Sequence, residues 1–67
     1  MSAHEISRAI ADLEISADLL LRAAQALTAW NVGYDATHEL DAARELHLKA
    51  LSLRVLLEIE LREQVLH

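Results

Sequence analysis

Residues 36–66 read ATHELDAARELHLKALSLRVLLEIELREQVL, a stretch without proline or glycine that predicts one continuous helix. Its residues were placed at about 100° per step, starting from Leu40. Ala43, Leu46, Ala50, Leu53, Leu57 and Leu61 then fall on one stripe. Leu48, Leu51, Val55, Ile59 and Leu66 form a second stripe, roughly 160° away on the same wheel. A charged ridge of His47, Arg54 and Glu58 runs between them, and His38, Glu45, Lys49, Ser52, Glu60 and Glu63 make a wet arc. A surface helix usually carries one apolar stripe. Two stripes ask for two partners, and one folded-back helix covers only one. The expectation is an all-α, two-helix antiparallel hairpin whose second helix also packs against another chain. Pairing into a four-helix bundle as a dimer would satisfy it.

Upstream, Ile6, Ile10, Leu13, Ala17, Leu20, Ala24 and Leu27 recur at spacings of 4, 3, 4, 3, 4, 3. That is the seam of a left-handed coiled coil. Leu21 widens it, and Arg8, Asp12, Asp18, Arg22 and Gln25 hold the opposite face. Ile15, Leu19 and Trp30 lie off the seam. Ser2-Ala3-His4-Glu5 has the form of a capping box, in which the Ser2 hydroxyl accepts from the Glu5 amide and the Glu5 carboxylate reaches back to the Ser2 amide.

Between the helices stands Trp30-Asn31-Val32-Gly33-Tyr34-Asp35. Gly33 is the chain's single glycine and sits where a helix ends in a left-handed residue. Asp35, or else Thr37, is the expected N-cap of the second helix. The reading is one domain over 1–67: first helix 3–30, turn 31–35, second helix 36–65. Trp30 and Tyr34, the only aromatics, either close the end of the hairpin or form a partner-binding tip.

Sixty-seven residues with no cysteine can form no disulfide or thiolate metal site, so oligomerisation is the natural supplement to a small core. The missing cysteine suits a reducing cytoplasm. The net charge is −5 and the cations are scattered, which disfavours nucleic acid and anionic membranes as partners. No window approaches the ~18–20 uncharged apolar residues of a membrane span. The residues after Met1 lack the basic and apolar regions of a signal peptide.

Chemistry finds little footing. None of the four histidines sits in a Glu-x-x-His pair or a zincin motif. His38, Asp41 and Glu45 share one exposed face, but three such ligands hold a divalent ion weakly without a second chain. Ser2, Ser7, Ser16 and Ser52 have no histidine placed by any motif, and one glycine cannot build a phosphate loop. No catalytic residue, cofactor or metal is expected, and the chain is not expected to be an enzyme.

The candidate interface is Leu48, Leu51, Val55, Ile59 and Leu66 with His47, Arg54 and Glu58. His47, between the stripes, would make association pH-sensitive if partly buried there. Arg54 and Glu58, spaced i, i+4, would set register more than add stability. Some six to eight fully buried interface leucines and isoleucines would supply a transfer term of order 10 kcal/mol before entropy costs. The partner is expected to be a second copy of the chain, another protein with a helical or grooved surface, or both. A purely structural homo-oligomeric bundle is the alternative.

The stretch Gly33-Tyr34-Asp35-Ala36, followed by Arg44-Glu45 and Lys49-Ala50-Leu51, resembles the small needle co-chaperones of type III secretion systems. The likeness covers roughly half the chain, and its last segment is displaced by about two residues. It implies a cytoplasmic helical hairpin that binds a larger helical-repeat chaperone together with the needle subunit. It assigns no individual residue a role.

Overall fold

The computed structural model describes residues 1–66, with the backbone alone at Leu66. Two helices account for nearly all of it: α1 over Ala3–Trp30 and α2 over Thr37–Leu66. They pack antiparallel as a rod whose principal extents are 56 × 14 × 13 Å. Among the described residues there is no strand, and no helix is long and apolar enough to cross a membrane. The all-α hairpin expected from the sequence is the observed fold.

Ser2 caps α1, its hydroxyl accepting from the Glu5 amide at 3.2 Å. The capping box is only half formed. The Glu5 carboxylate faces the Ser2 hydroxyl at 3.3 Å instead of reaching the Ser2 amide. At the other end, Gly33 is not a left-handed terminator, because no glycine, and no other residue among those described, has positive φ. Asn31 ends the helix by turning extended, with φ −138° and ψ 103°, while its N–H still donates to the Leu27 carbonyl. Its side-chain oxygen accepts from the Gly33 amide at 3.1 Å, and its carbonyl accepts from the Tyr34 amide at 2.8 Å. An asparagine side chain that mimics a backbone turn makes the left-handed residue unnecessary.

Helix α2 begins one residue later than expected. The Ala36 carbonyl accepts from the Leu40 amide at 3.0 Å, which opens the helical ladder. Asp35 still does the capping: one carboxylate oxygen accepts from the Thr37 amide at 3.0 Å and from the Thr37 hydroxyl. These bonds satisfy first-turn donors and hold the Asp35 carboxyl below its ordinary range, the hydroxyl bond contributing most.

The α1 seam is the expected one: Ile6, Ile10, Ala17 and Ala24 are buried, and Leu13, Leu20 and Leu27 are half-buried. On α2 the seam continues toward the turn through Glu39 and Ala36 and differs from the expected stripe at the far end. Ala36, Glu39, Ala43, Leu46, Ala50, Leu53, Leu57 and Glu60 face α1, at strict heptad spacing. Leu61, placed on this stripe by the helical wheel, is 46% exposed. Glu60, placed in the wet arc, is half-buried. The cause is supercoiling: a straight helix drifts about 20° per heptad from a 3.5-residue repeat. A wheel drawn for a straight helix is right along most of α2 and wrong at its far end.

The core is thin. Among the described residues, five of the seven buried are alanines, namely Ala17, Ala24, Ala36, Ala43 and Ala50. No leucine among the described residues is buried. Alanine at every seventh residue lets the helices approach closely, but each buried methyl stabilises by only about 0.8 kcal/mol, against about 1.5–3 for a fully buried leucine. The bulkiest packing lies away from the turn, where Ile6, Ile10 and Ala50 cluster with Leu13, Leu53 and Leu57.

Candidate protein-binding surface

The outer face of α2 carries the second stripe in the open. Leu48, Leu51, Val55 and Ile59 are 53%, 57%, 58% and 47% exposed. The side chain of Leu66 lies outside the described residues. The face is broader than the sequence reading made it, because Leu56, Leu61 and Val65 are also exposed. Leu61 was missed because the straight wheel put it in the core, and Leu56 because it belongs to neither stripe. These residues run from Leu48, near the middle of α2, to its far end. Nearer the turn, α2 presents Thr37, His38, Asp41, Arg44, Glu45 and His47 to solvent, with Leu40 the one exposed leucine. An exposed apolar face of this extent is unusual on so small a rod, and such faces mark interaction sites.

The charged ridge resolves into separate roles. Arg54 does not pair with Glu58 along the helix. Its guanidinium crosses to Glu14 on α1, the one ion pair among the described residues. Both side chains are about half exposed to solvent, so the pair contributes about 0.2–1 kcal/mol and fixes the stagger of α1 on α2 more than it stabilises. Glu58 and His47 are exposed. No sequence rule identifies Glu14 as the partner, because the pairing depends on the register between helices.

At the turn, Trp30 is 79% exposed and plugs nothing. Tyr34 is half-buried, and its hydroxyl donates to Glu39, which occupies a seam position of α2. That hydrogen bond is the main cause of two opposite effects: it holds the Glu39 carboxyl below its ordinary range and pushes the Tyr34 phenol up. The second Glu39 oxygen is buried without a partner. The two aromatics therefore separate, Tyr34 bracing the turn and Trp30 standing free at the tip beside the exposed Val32.

His38, Asp41 and Glu45 line a shallow surface together with Arg44. No group of three or more potential ligands converges among the described residues.

Comparison of the chain with family models, with curated proteins and with solved structures returns no match.

Proposed function

We propose that this protein is a non-enzymatic protein–protein interaction module, a small regulator, inhibitor or chaperone-like adaptor, acting through the outer face of α2. The observation that carries the reading is the exposure of Leu48, Leu51, Val55 and Ile59 on a helix whose other face is already occupied by α1. A thin alanine core and a large uncovered apolar face belong together, because a hairpin that buries no leucine gains from burying these in a partner. The chain's lack of cysteine agrees with a cytoplasmic setting. The partner is protein: the acidic surface, with its scattered cations, offers nothing to phosphates. A type III secretion co-chaperone would use such a face in the same way, and that narrower role rests on the residues quoted for the resemblance.

The test is to replace Leu48 and Val55 by glutamine together. Both lie outside the seam, so helix content should persist while association and hydrophobic-dye binding fall. If the variant unfolds instead, the face belongs to the hairpin's own stability and the reading fails. It fails equally if the wild type neither associates nor binds dye.

A further inference from the structure

The outward row of α2 runs Asp41, Arg44, Leu48, Leu51, Val55, Glu58, Arg62, and every member is exposed. Its spacings are 3, 4, 3, 4, 3, 4, the same heptad rhythm as the seam on the other side of the helix. Two seams sharing one repeat are held in line by one left-handed supercoil, so the wrapping that keeps α2 on α1 also keeps this row straight toward a second helix.

The row is complementary to its own reverse. Counting outward from Leu51, the first step meets Leu48 on one side and Val55 on the other, both apolar. The second meets Arg44 and Glu58, and the third Asp41 and Arg62, each pair opposite in sign. We infer that the occupant of this face is a second copy of the chain, its α2 laid antiparallel across the first with the two Leu51 side chains at the two-fold axis. The inference rests on the outer face of α2 being a binding face, and it names the partner. Leu48 then sits beside Val55 of the second copy, Arg44 beside Glu58, and Asp41 beside Arg62. A two-fold interface must be complementary to itself in this way.

Other arrangements lose the match. A parallel pair puts each arginine on its own copy and each carboxylate on its own copy. A shift of one heptad in either direction sets charged residues against leucine or valine. Only the register centred on Leu51 leaves every row matched, three apolar rows between charge-paired ends, and charge at seam edges is what selects orientation and partner. In the assembly the two copies of α2 lie innermost and the two copies of α1 outside. The natural chain has no cysteine, so single cysteines introduced on this row report the geometry without background.

Three single-cysteine proteins test it under mild oxidation. Leu51→Cys should form covalent dimers alone. Leu48→Cys and Val55→Cys should each give no covalent dimer when oxidised separately and should cross-link when mixed. Charge reversal supplies a second readout: Arg44→Glu and Glu58→Arg should each weaken self-association by about tenfold or more, and the two together should restore it. Cross-linking of Leu48→Cys and of Val55→Cys each on its own would mean parallel pairing and overturn the inference. A wild type that stays monomeric by light scattering over a dilution series, yet binds hydrophobic dye, would also overturn it, while leaving the binding face intact for a different protein. A monomer that binds no dye would sink both.

Discussion

Glu39 is one of two α2 seam positions, with Glu60, that hold neither alanine nor leucine, and Tyr34 is the reason it is tolerated at the turn end. The bond from the phenol stabilises the charged carboxylate, so Glu39 binds its proton more weakly folded than unfolded. The unfolded state therefore takes up protons first as the solution is acidified. Stability from this pair is fully present above the ordinary carboxyl value of 4.5 and is lost as pH falls through the lower folded value. The Tyr34 phenol behaves oppositely. Its stabilising share is present below 10.0 and is lost as pH rises through the raised folded value. Thermal melts followed by circular dichroism from pH 3 to 7 should show a shallower acid decline in Tyr34→Phe than in wild type. An unchanged slope would assign the acid sensitivity to Asp35 or other carboxylates.

Gly33 illustrates where residue-level reading failed. Position and residue type both pointed to a left-handed terminator, but Asn31 supplies the turn from its side chain. A Cβ added at Gly33 would meet only the Asn31 side-chain oxygen, at 3.6 Å, an ordinary contact. Gly33→Ala should therefore hold or raise stability, by up to about 0.4–1 kcal/mol through the unfolded chain's entropy. Chemical denaturation would measure it, and a clear loss would restore the glycine's conformational role.

At the scale of the helices, α1 was legible in full because its seam is a run of unbroken heptads. The middle of α2 was legible too. Its far end was not, because whether a helix follows 3.5 or 3.6 residues per turn depends on whether it supercoils, and that is settled by its neighbour. Leu61 is the residue on which the two periods disagree. Replacing Leu61 by Gln should thus cost the hairpin little, within about 0.5 kcal/mol. Ala17→Leu should be far worse, about 1–3 kcal/mol, because Ala17 is wholly buried and a larger side chain must push the helices apart. The two variants, compared by denaturant unfolding, separate the supercoiled seam from the straight one. A costly Leu61→Gln beside a harmless Ala17→Leu would reverse the assignment.

For the whole molecule, the informative fact is how little the hairpin hides. The sequence showed that α2 has more apolar surface than one partner covers, and the exposed Leu48, Leu51, Val55 and Ile59 carry that excess. It did not show that Leu56 and Leu61 join the exposed set, or that Arg54 is bound to Glu14, since both depend on the register between the helices. A chain stabilised by association has a melting temperature that depends on concentration. The melting temperature should rise with protein concentration in wild type and stay flat in the Leu48→Gln, Val55→Gln double variant. A flat wild-type curve would mean that the thin core suffices alone.

The exposed Trp30 gives the molecule a built-in optical reporter. It is the only tryptophan, and it stands at the hairpin tip while the apolar face lies toward the opposite end of the rod. Its fluorescence should show the red emission and ready quenching by iodide of an indole in water, and neither should change when copies associate through α2. A blue shift on adding another protein would then locate that contact at the tip. Light of one colour would thus report which end of the rod is occupied, with no label attached.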